Sequence, residues 1–246
     1  MHSNLLPYNT SMNNKWLLTP LFIGLLALEA RAAVLTQSAS APADPNIQIS
    51  QSDFSVSGQG NLAGGNDFTD NYGAPGQTFT PLSSFNLTAV TVKGGGDSGG
   101  LQSGAVFTIT ISQVTGGTTL TDLSQETAFL VIPNEDDLPP NRSNNTDYLT
   151  FTLDTAVPLV SGTQYAFSIY TDTGWYGLAK SSTDVYAGGA AIQQGSAQRS
   201  VSSGDAITNI QGDDRTFFIT GVPEPGTVAL LGLGLGVSLI FRRRRV

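Results

Sequence analysis

The feature that most constrains this chain is a strict two-residue alternation of apolar and hydroxyl side chains, repeated in separate segments. In "AVFTITIS", Phe107, Ile109 and Ile111 alternate with Thr108, Thr110 and Ser112. "YLTFTL" sets Leu149, Phe151 and Leu153 between threonines, and "QYAFSIY" does the same with Tyr165, Phe167 and Ile169. Successive strand residues point to opposite faces, so each run turns one face to a core and the other to water. A 3.6-residue helical period cannot produce this pattern, and no segment between the two ends of the chain carries one. Further strands are predicted at "QTFT", "FNLTAVTV", "TAFLVI" and "RTFFIT".

The stretches between these runs are rich in Gly, Asn, Asp and Ser, which supply positive φ and local turns. "GGNDFTDNYG", "GGGDSGG", "PNEDDLPPNRSNNTD" and "IQQGSAQRSVSSGD" are all expected to be connections. Short strands with turn signals between them predict an all-β fold, a single antiparallel β-sandwich or jelly-roll-like domain. A β-hairpin is expected within "DYLTFTLDTAVPLVSGTQYAFSIY". There Pro158 would stop the ladder and Ser161-Gly162 would turn the chain, so that its two alternating runs pair. A turn at Gly212-Asp213 would feed the last strand.

Both ends differ from this middle. Residues 1–32 read as a signal peptide: Lys15 precedes an apolar stretch from Trp16 to Leu28, and Ala30-Arg31-Ala32 fits a cleavage site before Ala33. Met12 is an alternative start. Residues 33–50 form a lead-in segment with Ile47 and Ile49 opening a strand, and residues 51–221 hold the β-sandwich. At the C-terminus, Pro223 and Pro225 bracket Glu224 and break the last strand's ladder. The uncharged apolar run 227–241 follows, then Arg242, Arg243, Arg244 and Arg245. As a transmembrane helix the run would span about 22 Å of a hydrocarbon core of roughly 30 Å. The arginines would recover part of the deficit by snorkelling and would stay on the cytoplasmic side.

The order "VPEP", short apolar segment and terminal arginine cluster resembles the PEP-CTERM sorting signal of Gram-negative bacteria, over residues 222–246. The resemblance implies an exosortase-type membrane protease as partner, one that reads Pro223, Glu224, Pro225 and the arginine cluster and cuts near the PEP motif. It also implies export through the inner membrane with transient anchoring there, then a cell-surface or extracellular-matrix location linked to exopolysaccharide and biofilm. The family's tail follows unlike domains and says nothing about the one in front.

Composition narrows what that domain can do. Residues 33–221 carry 17 Asp and Glu against five Lys and Arg, a net charge of −12. Such a surface repels phosphate, so no nucleic acid is expected as partner. The chain has no cysteine, and its single histidine, His2, lies in the leader. A Ser-His-Asp triad, a cysteine nucleophile and an ordinary zinc site are therefore excluded. Only carboxylates remain for catalysis. The adjacent pairs Asp136-Asp137 and Asp213-Asp214 read as solvated turn residues, because strand neighbours point apart. The domain is thus expected to be non-enzymatic, the alternatives being a secreted carbohydrate-active enzyme using Asp/Glu or a permanently anchored structural protein. No cofactor is expected apart from a candidate structural Ca²⁺, for which Asn66, Asp67, Asp70 and Asn71 offer oxygen ligands in one Gly-flanked loop. Trp175 and Tyr176, beside a Gly-flanked turn, are candidates for stacking on a sugar ring, set against the alternative that Trp175 fills the core.

Overall fold

The computed structural model describes residues 32–54, 62–63, 74–99, 106–129, 147–171, 175–193, 202–207, 209–210 and 212–224. The candidate calcium loop 66–71, Asp136-Asp137, the leader and the tail beyond Glu224 lie outside them. The expected transmembrane helix over 227–241 falls in that outlying part. Among the described residues there is no helix, and none long and apolar enough to cross a membrane.

The strands in chain order are β1 (Val34–Ser38), β2 (Ile47–Gln51), β3 (Leu62–Ala63), β4 (Pro75–Phe79), β5 (Phe85–Gly99), β6 (Val106–Thr115) and β7 (Thr119–Phe129). They continue as β8 (Tyr148–Leu159), β9 (Tyr165–Thr171), β10 (Trp175–Leu178), β11 (Ala191–Gln193), β12 (Asn209–Ile210) and β13 (Phe217–Pro223). Two antiparallel sheets result. The larger has β5 at its centre, with β8 and then β1 on one side. On the other side of β5 lie β13 and β2 along its first half, and β10 and β3 along its second. The smaller runs β12-β11-β4-β9-β6-β7. The lead-in 33–50 contains β1 and all of β2 but its last residue, so two of the larger sheet's outer strands come from it.

The alternating residues do what their period demands. Phe107, Ile109 and Ile111 from β6, Phe167 and Ile169 from β9, Leu149 and Phe151 from β8, and Phe217 and Ile219 from β13 are all buried in one core. Aromatic contacts cross between the layers: Phe107 meets Phe151 edge-on at 5.9 Å, and Phe167 lies 5.6 Å from Phe217. The outer face of the smaller sheet is not left in water, however. Val114, Leu120, Ala166, Ile192 and Ile207 form a second apolar cluster there, and Thr110, Ser112 and Ser168 are buried as well.

The expected hairpin does not form. β8 pairs with β1 and β5, whereas β9 pairs with β4 and β6, so the link 160–164 crosses from one sheet to the other. Alternation reports which face of a strand is buried and is silent on its neighbour. Gly162, at φ 75°, turns the chain across the gap, and its N–H donates to Pro81 O at 2.9 Å. Pro158 does not stop the ladder either; it stands opposite Asn86. The β1 register ends at Val34 opposite Thr152, so only one neighbour runs past the proline, an edge setting it tolerates. A further difference concerns "GGGDSGG": residues 94–99 belong to β5 and pair with β10.

Phe217 touches Phe167 and Tyr186 and is fully buried between the sheets. Phe217→Ala should lower the unfolding free energy by about 3–5 kcal/mol, read from denaturant melts.

Candidate functional site

The sequence-derived sorting site starts within the folded sheet, at the C-terminal end of β13. Gly221, Val222 and Pro223 stand opposite Leu87, Asn86 and Phe85 of β5. Gly221 donates its N–H to Asn46 O at 3.0 Å and accepts from Gln48 Nε2 at 3.2 Å, so the strand is held on both sides up to that residue. No larger residue fits here, because a Cβ would fall 2.3 Å from the Phe85 ring and 2.7 Å from Asn86 O. Val222, Pro223 and Glu224 are exposed beyond it. Pro225 and Arg242 to Arg245 lie outside the described residues.

Trp175 and Tyr176 open strand β10, directly after the link 172–174, which lies outside the described residues. The register sets Trp175 opposite Gly99 and Tyr176 opposite Ser98, with an irregularity before Leu178 reaches Gly94.

The structure corrects the reading of Asp213-Asp214 as solvated turn residues. Asp214 is fully buried. Its Oδ1 accepts from Gln77 Nε2 at 2.8 Å, and its Oδ2 accepts from the backbone N–H groups of Val185 and Tyr186, each at 2.7 Å. Gln77 answers by accepting the Arg215 N–H at 2.9 Å. Asp213 forms an ion pair with Lys180 at 2.5 Å. The buried Arg215 guanidinium is lowered to about 10, first by burial, with Asp213 opposing the shift. Nothing local in "GDDR" marks this role, because the partner Gln77 is 137 positions away.

Two more charged groups are built into the walls. Glu126, from β7, accepts the Asp154 N–H at 2.7 Å and the Ser124 hydroxyl at 3.1 Å, and so ties the smaller sheet to β8 of the larger. Lys93 lies between two rings, its Nζ 4.7 Å from the Phe54 centroid and 4.3 Å from that of Tyr148. Burial lowers its pKa, against a smaller opposing pull from Asp147. Buried carboxylates occupied by backbone donors are fold-stabilising, since those N–H groups would otherwise be orphaned. Among the described residues no three His, Cys, Asp or Glu side chains come together as a metal-binding group.

At the rim, Asp122 accepts from Ser112 Oγ at 2.9 Å, and its own N–H donates to Ser203 Oγ at 2.8 Å. Burial raises the Asp122 pKa above the usual carboxylate value; hydrogen bonds from Ser112 and Ser203 act against this and Asp205 adds to it. The folded state therefore disfavours the ionised carboxylate. That penalty is fully present above the raised folded pKa and disappears as pH falls below the unfolded one. Asp122→Asn should raise the melting temperature at neutral pH, and the gain over the parent should shrink steadily as carboxylates protonate.

These features define a class: an all-β, two-sheet domain whose last strand runs straight into a C-terminal tail. Residues 221–245 match the family model for the PEP-CTERM protein-sorting motif. The chain thus carries a sorting motif whose first three residues belong to β13. The motif implies an exported protein sorted by an exosortase, a membrane protease. No curated protein matches the chain.

Proposed function

We propose that this is an exported, non-enzymatic surface or extracellular-matrix protein. Its tail holds it in the inner membrane until an exosortase-type protease cuts near Pro223-Glu224-Pro225. The β domain then takes part in exopolysaccharide or biofilm structure. The observation that carries the reading is the sorting motif over 221–245, starting inside the last strand with no linker between domain and tail. The absence of an enzymatic role is supported by Glu126 and Asp214, which are buried and engaged with backbone N–H groups. The protein's mass, measured after recovery from its own host, is expected to end near Pro223–Gly226, and Pro223→Ala with Pro225→Ala should leave the tail attached. A parent mass that includes Arg242–Arg245 would instead mean a permanent anchor.

For the β domain the proposed ligand is a glycan, bound at β10 through Trp175 with Tyr176 as a second contact. Support comes from the chemistry of two adjacent aromatic residues, whose ring faces suit stacking on a sugar. Calcium at Asn66, Asp67, Asp70 and Asn71 is a structural proposal beside it. Retention of the purified domain on the host's polysaccharide should drop several-fold on Trp175→Ala. Equal retention of the two would remove the proposed site.

A further inference from the structure

The loops at the end where the tail leaves the sandwich hold apolar side chains out in solvent. Residues 80–84 carry the chain from Phe79 in the smaller sheet to Phe85 in the larger, and residues 160–164 return it from Leu159 to Tyr165. The two loops are tied together. Besides the bond from Gly162 to Pro81, Ser161 Oγ donates to Leu82 O at 2.8 Å and the Ser161 N–H donates to Ser84 Oγ at 3.1 Å. The Val160 N–H donates to Tyr165 Oη at 2.9 Å. Within this bonded frame Leu82 is 96% exposed and Val160 56%. Phe85 stands opposite both Leu159 and Pro223, so Val222, 54% exposed, lies at the same end.

A single exposed leucine needs no explanation. Three features together make this end different. First, residues 80–84, 115–118 and 160–164, the turns gathered here, contain no charge, although the domain as a whole is strongly acidic. Among the described residues, the charges at or beside this end are Asp44, Asp122, Asp205 and Glu224. An acidic surface is repelled by anionic lipid, so the end whose protruding turns carry no charge is the one best able to approach a bilayer. Second, the apolar side chains are held on hydrogen-bonded loops and not on a frayed terminus. Third, the tether is short. Only Pro225 and Gly226 separate Glu224 from the apolar run starting at Thr227. At no more than about 3.6 Å per residue, Glu224 stays within roughly 11 Å of Thr227, a few ångströms beyond the roughly 5–8 Å depth of one headgroup layer.

We infer that this end of the sandwich, with Leu82, Val160 and Val222 at its tip, rests in the bilayer interface while the tail is inserted. The inference depends on the tail being a membrane segment, as proposed above. Docked this way, the strands stand upright on the membrane, and Pro223 and Glu224 sit at headgroup level, within reach of a membrane-embedded protease.

The absence of cysteine makes the test direct. A fluorophore on Ser83→Cys reports on the tip. One on Ser38→Cys is the control, because Ser38 stands opposite Tyr148, which faces Lys93, well up β5 from Phe85. The mature chain, Ala33 to Val246, without the apolar leader that could itself insert, is placed in phosphatidylcholine–phosphatidylglycerol vesicles, with and without lipids bearing a headgroup nitroxide quencher. The chain should float with the vesicles, and the Ser83 probe should be quenched several-fold more than the Ser38 probe. Adding Leu82→Asp and Val160→Asp, both exposed and so tolerable to the fold, should bring quenching down toward the control. If the chain floats but the two probes are quenched alike, or if the Asp pair changes nothing, the docking inference fails while the tail reading stands. A Ser83 probe shielded from water and lipid quenchers alike would mean that a second copy covers the tip, and would also overturn it. A chain that does not float overturns the tail reading, and the docking inference with it.

Discussion

The pair of bonds that Gln77 makes, donating to the Asp214 carboxylate and accepting the Arg215 N–H, is the constraint on which the rest of this fold depends. It joins β4 of the smaller sheet to the segment that opens β13 of the larger. Because Asp214 also accepts from Val185 and Tyr186, three chain segments meet on one buried carboxylate. In a protein without disulfides this cross-connection fixes where β13 begins. It thereby sets Phe217 between Phe167 and Tyr186 and, one strand length away, the point at which the tail leaves. An unpaired carboxylate in the same place would be costly, so the network holds only as a complete set.

The sequence revealed the faces of the strands better than their partners. Phe107, Ile109 and Ile111 point inward as their spacing requires, because burial of one face is a local property of a period-two pattern. Pairing is not local. Nothing in residues 148–170 distinguishes a hairpin from a crossing between sheets, since both need two strands and a short turn. Asp213-Asp214 misled for the same reason: a turn composition was legible, and its distant partner was not. The glycine-rich stretch 94–99 carries a turn composition too, yet a neighbouring strand, β10, pairs with its Gly94, Ser98 and Gly99. The C-terminal motif was readable because its information is linear. Trp175 and Tyr176 were legible as a dipeptide, while their place opposite Gly99 and Ser98 depended on the pairing of β10 with β5.

The exposed edge of the smaller sheet shows how the chain limits unwanted pairing. β7 would present its outer N–H and C=O groups to any passing strand. Instead, the Ala33 N–H donates to Thr127 O, the Leu120 N–H to Asp205 O, and the Gly204 N–H to Leu120 O. The Asp122 N–H is taken by Ser203. Segments distant in sequence thus cover β7 at both ends, and the Glu126 carboxylate draws it toward β8.

The position of β13 between β2 and β5 also sets a timetable. A polypeptide threaded across a membrane from its N-terminus delivers these two strands early and their shared neighbour last. Until residues 217–223 have emerged, the larger sheet has a slot where its central seam should be, and the core lacks Phe217 and Ile219. The next residues to arrive belong to the sorting motif. Completion of the domain and presentation of its address therefore coincide, so that a chain truncated or stalled short of its final strand would lack both a closed core and a destination.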